Sequence, residues 1–372
     1  MTSVNKKRNA RKNQEPTSNM TIETEDGTQA DRPKKRPAKK RSKVVRRAAQ
    51  YGDVNEPILR DFVKATIQTG VKQLSTEFLN LKMETQPCNK PKTGHEGHPE
   101  KNRYKGRQLH NSRKKTFYDG FSDVYCIDDT RVVLKWPEDS PSDYIHANWV
   151  KINGANKFIC TQGPTEKTVD DFYRLIWQEK APCVVMLCNI MECGKKKCEQ
   201  YWPETADGQM ILMDGKLTVK IAEPAKEVEQ NILLMKITVI DDKGTSHNFE
   251  HWQWKAWPDR GVPELPMAVF RLLIRLKTAS PIVVHCSAGI GRTGSIVGLE
   301  IALVKFCAGE KVVLKDIVKE IRNQRHGSVQ TDAQYLFMHR VLLALAENRK
   351  ITSPELSAFV AEYDKVIATK NG

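Results

Sequence analysis

The chain has 372 residues and a net charge of +15, and its 39% hydrophobic content is enough for a sizeable core. No apolar run approaches the roughly 20 residues that a membrane helix needs, and the N-terminal MTSVNKKRNARKNQ lacks the apolar centre of a secretory signal. These features argue against a membrane span and against secretion, so we expect an intracellular protein, cytoplasmic or nuclear.

The positive charge is concentrated in the first 50 residues, which hold 15 Lys and Arg against 5 Asp and Glu. This segment has almost no large apolar residues before Val44, so it is predicted to be a disordered basic tail. The run PKKRPAKKRSK (33–43) is typical of a nuclear import signal, a nucleic-acid patch or a membrane-surface contact, and equally of a solvated arm without a partner. A dedicated partner of this tail should be acidic, and nucleic acid is not expected as a substrate.

The periodicity after the tail predicts one mixed α/β domain over 52–348. Apolar spacing indicates amphipathic helices from Tyr51 to Met83, followed by a polar segment rich in Pro, Gly and His. Several short strands are predicted between Asp143 and Asp241, including CVVMLCNI, GKLTVKIAE and NILLMKITVID. Helices are expected after Pro266 and Arg292, at 316–323 and at 331–346, and a terminal helix or tail at 349–372. This order favours a central twisted mixed sheet flanked by helices.

The nine cysteines are odd in number and irregularly spaced, which favours reduced thiols over a disulfide framework. Cys193 and Cys198 come nearest to a metal pattern, but they lack a histidine or a second cysteine pair at ligand spacing. We interpret both as structural and expect neither a metal nor a cofactor.

The stretch PIVVHCSAGIGRTGSIVGLEIALV (281–304) is predicted to be a strand, a glycine-rich loop and a helix. The strand should end near His285, and Gly289 and Gly291 allow the N–H groups of residues 287–291 to turn inward as an anion nest. A helix that begins near Arg292 would add its dipole at the same point. Such a field favours the thiolate, so Cys286 should be an acidic nucleophile. Arg292 can bind two phosphoryl oxygens with its planar fork.

The segment HWQWKAWPDRGVPE (251–264) supplies a candidate acid for a leaving oxygen. Asp259 follows Trp257 and Pro258 and precedes Gly261, which is typical of a loop that can close over a bound anion. An Asp after Trp-Pro is, taken alone, more often a turn residue.

The sequence resembles the classical protein tyrosine phosphatases, and the likeness covers nearly all of 52–348. The matching motifs occur in family order: KNRY (101–104), DYIHAN (143–148), TQGP (161–164), QYWP (200–203), WPD (257–259), VHCSAGIGRTG (284–294) and QTDAQY (330–335).

The resemblance implies a cysteine phosphatase fold and phosphotyrosine hydrolysis through a cysteinyl phosphate. By position, Cys286 attacks phosphorus, Asp259 protonates the tyrosyl oxygen and Gln330 positions the water. By position, the phosphoryl group is bound by Arg292 and by the loop of Ser287, Ala288, Gly289, Ile290 and Gly291, and the thiolate is stabilised by Thr293. Tyr104 stacks on the phenyl ring, and Asp123 binds the substrate backbone. Gln334 lies beside Gln330, and the site is supported by His285, Glu192 and Lys197.

The sequence departs from the family pattern in two small ways. Arg260 stands where the family has an aromatic residue after the acid, which bears on closure of the acid loop. Gly327 stands where a small residue leaves the pocket mouth open.

A larger departure follows KNRYK, where 17 residues, Gly106–Ser122, precede the Asp that the pattern requires. Deleting them gives KNRYKDVYCIDDTRVVL, with Asp123 in the gripping position. An unspliced short intron is one interpretation, because Gly106 can begin a GT donor and Phe121-Ser122-Asp123 can contain a TTTTCAG acceptor. A genuine loop insertion is the other, since loops tolerate insertions at small entropic cost.

Two other functions remain open from the sequence. A catalytically silent phosphotyrosine-binding module is disfavoured by the intact nucleophile, arginine, acid and glutamines. A dual-specificity or lipid phosphatase is disfavoured by KNRY and by the long domain.

Overall fold

A nine-stranded mixed sheet forms the centre of the described part of the chain, residues 54–85, 90–103 and 124–371, in this computed structural model. The strands of those ranges are β1 (Arg131–Val133), β2 (Tyr144–Ile152), β3 (Ala155–Thr161), β4 (Cys183–Met186), β5 (Met191–Glu192), β6 (Lys195–Lys196), β7 (Gln209–Leu212), β8 (Leu217–Glu229), β9 (Ile232–Asp241), β10 (Ser246–Trp254) and β11 (Ile282–His285). The predicted tail (1–50), Tyr104, the 106–122 segment and Asp123 lie outside the described residues.

The sheet order is β1-β2-β3-β11-β4-β10-β9-β8-β7, and β5 pairs with β6 in a separate hairpin. The neighbours β3, β11, β4 and β10 run parallel, whereas the outer pairs are antiparallel. In the parallel centre, His285 pairs with Thr161 on one side and with Met186 on the other. Because the carboxyl ends of parallel strands meet at one edge, the segments after these four strands converge there.

Helices cover the sheet, as the mixed α/β prediction requires. They are α1 (Glu56–Thr69), α2 (Val71–Thr85), α3 (Thr93–Gly97), α4 (Val169–Glu179), α5 (Pro266–Leu276), α6 (Gly291–Cys307), α7 (Leu314–Arg322), α8 (Asp332–Asn348) and α9 (Pro354–Asn371). The central helix α6 is buried on nearly all sides, where it packs on β3, β11, α7 and α8. Apolar residues occur on nearly every face of the helix, which explains why so little of it is exposed.

The terminal helix α9 joins the main hydrophobic core. Leu356, Phe359, Tyr363 and Ile367 recur at spacings of three and four and are buried in the same cluster as the central strands. The helix contacts α1, α2 and α8. The segment after 348 is therefore packed with the sheet-bearing part of the chain.

Two elements differ from the sequence-based expectation. Helix α4 lies inside the region where several short strands and no helix were named, although its buried Val169, Phe172, Tyr173 and Ile176 follow a helical spacing. Strand β10 covers residues that precede the acid loop and were not predicted as a strand. Within the described ranges, no helix has both the length and the apolar character needed to cross a bilayer.

Candidate active site

The site lies at the carboxyl edge of the parallel centre of the sheet. Strand β11 leads into Cys286 and the following loop, whereas β3 leads into Gln162 and Gly163. Strand β4 leads to the β5–β6 hairpin, and β10 leads to the loop that carries Asp259. Four segments distant in sequence therefore meet because their strands are neighbours.

The loop 286–291, here called the cradle, bends around the sulfur of Cys286. The Gly289 N–H donates to Sγ of Cys286 at 3.3 Å. Gly289 has a φ of +69°, and a Cβ at this position would lie 1.9 Å from the Thr161 carbonyl oxygen. Glycine is thus required here both for the backbone angle and for the close approach of β3.

Every carbonyl of the cradle is hydrogen-bonded on its outer side. The Cys286 carbonyl accepts from His285 Nδ1 (3.2 Å), and the Ser287 carbonyl accepts from Gly163 N (3.0 Å). The carbonyls of Ala288 and Gly289 accept from Nη2 and Nε of Arg325, respectively, both at 3.1 Å. The Ile290 carbonyl accepts from Val329 N (3.0 Å) and Gly294 N (2.9 Å), and the Gly291 carbonyl accepts from Ser295 Oγ (3.1 Å). In a planar trans peptide the N–H points opposite to the C=O. Carbonyls held outward therefore aim amides inward, and this is how the chain builds an anion site.

The environment of Cys286 favours its thiolate. Burial alone would raise the pKa of this thiol, but the positive charge of Arg292, Thr293 and the Gly289 amide together lower it below its usual value. The Thr293 hydroxyl is buried and makes no hydrogen bond of ordinary geometry to the described residues, yet it lies close enough to favour the thiolate. At Cys160 the same burial outweighs the nearby charge of Arg325, and the pKa rises to about 12. The predicted acidity of Cys286 therefore comes from its local partners.

Arg292, at the start of α6, is held by the β5–β6 hairpin. Its Nη1 and Nη2 donate to the two carboxylate oxygens of Glu192 at 2.7 and 2.8 Å, and Nη1 also donates to the Trp257 carbonyl at 3.0 Å. The side chain is only 3% exposed. A bidentate carboxylate fixes the plane of the guanidinium and keeps it charged.

Asp259 is held by two cations. Its carboxylate lies 2.5 Å from Lys197 Nζ and 3.2 Å from Arg292 Nη2. Burial raises the pKa of this carboxyl, but Lys197, Arg292 and Arg260 outweigh burial and lower it. Asp259 and two of the three residues predicted to support the site, Glu192 and Lys197, thus form one ion-pair network with Arg292.

An apolar wall adjoins the cradle. Val124, Ala288 and Ile290 form a small buried cluster of their own, separate from the main core. Gly327 has a φ of +73°, and a Cβ there would lie 3.4 Å from Cδ1 of Ile290. Gly327 therefore borders this wall, and its positive φ favours glycine at this position.

The two glutamines lie beside the cradle at the start of α8. Oε1 of Gln334 accepts from the Gln330 N–H at 2.9 Å and caps the helix together with Thr331. A Cβ on Gly291 would come within 3.2 Å of the Gln330 Cβ and 2.8 Å of the Gln334 side chain. Both glutamines therefore lie against Gly291 of the cradle.

Three residues that touch this region were not singled out in the sequence. Arg325 is fully buried and holds two cradle carbonyls. Tyr201 and His251 form a hydrogen-bonded chain with His285.

Ser287, one of the residues predicted to bind the phosphoryl group, donates from Oγ to the Lys197 carbonyl at 3.0 Å and so links the β5–β6 hairpin to the cradle. Among the described residues, no group of three or more His, Cys, Asp and Glu is arranged to hold a metal ion.

Comparison with known proteins gives a consistent assignment. The family model for the protein-tyrosine phosphatase matches residues 119–344, more than half of the chain. Human receptor-type tyrosine-protein phosphatase C is 36% identical over 230 residues, which is 60% of this chain and 18% of that protein. A Lar-like tyrosine-protein phosphatase from Caenorhabditis elegans is 36% identical over 232 residues, 60% of this chain and 10% of the relative.

Solved structures agree with the sequence relatives. The catalytic domain of human protein tyrosine phosphatase non-receptor type 18 superposes with a TM-score of 0.62 at 28% identity, and the match covers 73% of this chain and 95% of that one. The chain thus spans nearly all of a solved catalytic domain, but less than a fifth of the two curated relatives above. The matched family model, these relatives and the shared mixed sheet establish that the chain belongs to the protein-tyrosine phosphatase family.

Proposed function

We propose that the chain hydrolyses phosphotyrosine in proteins through a cysteinyl-phosphate intermediate. The observation that carries this proposal is the cradle itself, in which inward-facing amides and the Arg292 guanidinium surround a thiol of lowered pKa. This arrangement suits a dianionic phosphoryl group and a sulfur nucleophile at one point. Family membership and the 36% identity to tyrosine-protein phosphatases support the same activity.

In the first step, the Cys286 thiolate attacks phosphorus and the bond from phosphorus to the tyrosyl oxygen breaks. Asp259, in its protonated form, gives its proton to that oxygen, so a neutral tyrosine leaves. Arg292 and the cradle amides hold the three non-bridging oxygens throughout. Before it takes up that proton, the charged Asp259 carboxylate is kept beside the phosphoryl site by its ion pairs with Lys197 and Arg292.

In the second step, water attacks the phosphocysteine and the bond from phosphorus to sulfur breaks. Asp259, now a carboxylate, takes a proton from the water, and Gln330 positions that water. Thr293 stabilises the departing thiolate, in line with its effect on the pKa of Cys286. Inorganic phosphate then leaves, and the enzyme returns to its starting state.

Selection of tyrosine is proposed to depend on the depth of the pocket. Tyr104 would stack on the phenyl ring and Asp123 would bind the substrate backbone, although both lie outside the described residues. The apolar wall of Val124, Ala288 and Ile290 supports this proposal, because a phenyl ring is apolar and a shorter phosphoserine would not reach it.

The test is phosphate release from a phosphotyrosyl peptide by the full chain and by Cys286→Ser. Turnover that disappears in Cys286→Ser supports the proposal. An inactive wild-type chain that still binds the peptide tightly would replace it with the phosphotyrosine-binding module. A phosphoseryl peptide hydrolysed at the same rate would favour a dual-specificity enzyme.

Two origins are proposed for the segment 106–122, an unspliced intron and a genuine loop insertion. The family match begins at 119, after the KNRY motif, which supports an interruption of the family pattern in this region. Sequencing the transcript across the junction distinguishes a retained intron from an insertion, because an intron would be absent from most transcripts. If the residues are translated, a form that lacks 106–122 should bind peptide more tightly than the intact chain.

The basic tail is proposed to bind an acidic partner, with residues 33–43 as the contact. Its excess of ten positive charges over 50 residues supports a salt-sensitive, long-range attraction. Residence in the cytoplasm or nucleus is part of this proposal. Imaging of the tagged chain with and without 33–43 tests the nuclear contribution.

A further inference from the structure

A side-chain hydrogen bond joins the acid loop (257–261) to the start of α8. The Thr331 hydroxyl donates to the carbonyl oxygen of Arg260 at 3.2 Å, across 71 positions of sequence. Arg260 directly follows Asp259, and Thr331 directly follows Gln330. The bond therefore connects the backbone neighbour of the proposed acid with the backbone neighbour of the glutamine that is proposed to position water.

The hydrogen of the Thr331 hydroxyl is committed to this bond. Thr331 is the N-cap of α8, and its Oγ1 accepts from the Gln334 N–H at 3.2 Å. A backbone N–H only donates and a carbonyl only accepts, so the hydroxyl accepts from Gln334 and gives its hydrogen to Arg260. A hydroxyl has one hydrogen and two lone pairs, so both bonds can be made together. Thr331 thus caps the helix and holds the acid loop at the same time.

The backbone of Arg260 has a conformation that depends on its surroundings. Its φ is +62°, in the left-handed region that residues with a Cβ seldom adopt. Such a conformation persists where neighbouring contacts maintain it. The Trp257 indole donates to the next carbonyl, that of Gly261, at 3.2 Å, and Thr331 donates to the carbonyl of Arg260 itself. The turn that places Asp259 is therefore held from the core by Trp257 and from α8 by Thr331.

The bond from Thr331 differs from the ion pairs of Asp259 in its dependence on charge. The ion pairs with Lys197 and Arg292 require the carboxylate, which is the form that has no proton to donate. The bond between Thr331 and Arg260 joins two neutral groups, so it does not require a charge on Asp259. It can therefore hold the loop in the protonated form that acts on the leaving oxygen.

We propose that Thr331 is a positioning residue which, by holding the Arg260 carbonyl, keeps the protonated Asp259 aligned with the leaving oxygen. The inference rests on the proposed function, because it takes Asp259 as the acid. It gives Thr331 no contact with the phosphoryl group, since Thr331 acts through the backbone of Arg260.

The experiment uses two substrates that differ in their need for an acid. A phosphotyrosyl peptide has a poor leaving group, whereas an aryl phosphate whose phenol carries several fluorine atoms releases a stable phenolate with little help from a proton donor. A misplaced acid lowers kcat/KM for the peptide more than for the fluorinated substrate. General damage to the site lowers both by the same factor, so the ratio of the two kcat/KM values isolates the acid.

Three variants of Thr331 separate its two hydrogen bonds. Thr331→Ser keeps both bonds, Thr331→Val removes both, and Thr331→Asp keeps the acceptor that caps α8 but cannot donate to Arg260. The added charge of Thr331→Asp acts on the phosphoryl group of both substrates, so its effect on phosphoryl binding cancels in the ratio. Asn55→Ala is the matched control for a lost cap alone, because Asn55 caps α1 by accepting from the Ile58 N–H at 3.2 Å.

We expect Thr331→Val and Thr331→Asp to lower the ratio of peptide to fluorinated substrate by roughly five- to tenfold, the effect of one hydrogen bond. Thr331→Ser should restore the wild-type ratio, and Asn55→Ala should leave it unchanged. An unchanged ratio in Thr331→Asp, or a loss in Thr331→Ser as large as that in Thr331→Val, would overturn the inference.

A second measurement needs no turnover. Hydrogen–deuterium exchange of the peptide that spans 255–264 should be several-fold faster in Thr331→Asp than in wild type or in Thr331→Ser, whereas the cradle peptide should exchange as in wild type. Thr331→Asp keeps the helix cap, so this comparison remains possible if Thr331→Val does not fold. A wild-type chain inactive on both substrates would refute the proposed function, and equal exchange in wild type and Thr331→Asp would refute the role of Thr331 independently.

Discussion

The cradle and the acid loop lie in contact, yet they are held in place by different forces. Each of the six cradle carbonyls accepts a hydrogen bond from outside, and the loop is buried. The acid loop is anchored by Trp257, which is buried and donates from Nε1 to the Gly261 carbonyl at 3.2 Å. Beyond that anchor, Pro258 and Arg260 are exposed, and the Asp259 side chain is held by charge alone.

The difference means that phosphoryl binding and proton transfer are supported by separate interactions. Hydrogen bonds to backbone carbonyls do not depend on the protonation state of the substrate or the acid, so the anion site is preorganised. The ion pairs of Asp259 exist only while the carboxyl is charged. When Asp259 takes up its catalytic proton, its hold on Lys197 and Arg292 weakens. The acid is therefore retained in its charged form and released as it becomes competent to donate.

The largest effect should come from removing the acid. Asp259→Asn keeps the shape of the side chain but cannot donate a proton to the leaving group, so kcat should fall on the order of 10² to 10⁴ for a phosphotyrosyl peptide. The fall in rate on the basic side of the pH–rate profile should also disappear, because it reports the ionisation of Asp259. Steady-state rates over a pH series test both, and Asp139→Asn, an exposed partner of Lys216, serves as the control.

Phosphate affinity sharpens this prediction. If the two loops are as separate as the contacts indicate, Asp259→Asn should bind inorganic phosphate at least as well as wild type, because a negative charge beside Arg292 is removed. A large loss of phosphate affinity in this variant would show that the acid loop also builds the anion site.

The next effect comes from replacing the cradle arginine. Arg292→Lys keeps one charge but loses the fork that binds Glu192 and two phosphoryl oxygens. We expect kcat/KM to fall on the order of 10² to 10³. Arg340→Lys, which alters an ion pair with Glu347 on α8, should leave kcat/KM unchanged. Near wild-type activity in Arg292→Lys would mean that charge alone suffices at this position.

The same comparison explains which parts of the site could be predicted from the sequence. The cradle is contiguous, so the strand, the glycines, Cys286 and Arg292 were all predictable from one stretch of 281–304. Asp259 was predicted from its own segment as a candidate acid, but an Asp after Trp-Pro is more often a turn residue, and only the resemblance assigned it a definite role. In the structure it reaches Arg292 because β4 lies between β10 and β11 and is parallel to both, an order that no local pattern specifies.

The residues that donate to the cradle carbonyls from outside were not predicted from the sequence, for a physical reason. Arg325 lies 36 residues after Gly289 in a segment that carries no helical or strand period of its own, and a buried arginine is rare. Tyr201 was part of the QYWP motif, but its two histidine partners lie 50 and 84 residues away. Contacts of this range depend on sheet order, which periodicity does not determine.

A smaller effect on activity, but a clear one on stability, is expected at Arg325. This fully buried guanidinium donates to the carbonyls of Ala288 and Gly289 and to Asn148. Arg325→Met leaves these acceptors unpaired, so we expect a loss of about 2 to 4 kcal/mol in the free energy of unfolding, and activity reduced roughly tenfold. Arg271→Met, which removes an exposed ion pair with Glu229, should cost less than about 1 kcal/mol. Denaturant titration measures both, and an Arg325→Met protein as stable as wild type would show that the cradle does not need the donors of Arg325.

The smallest predicted effect concerns the tether of the acid. Lys197 lowers the pKa of Asp259, so Lys197→Met should raise that pKa and move the basic limb of kcat/KM upward by roughly half a unit to one unit. The sign is fixed because the acid must be protonated to act, and a raised pKa keeps it protonated to higher pH. Lys216→Met, which pairs with the exposed Asp139, should leave the limb in place. A limb that moves downward in Lys197→Met would mean that loss of the tether, rather than loss of the charge, dominates, and that the acid loop has moved away from the cradle.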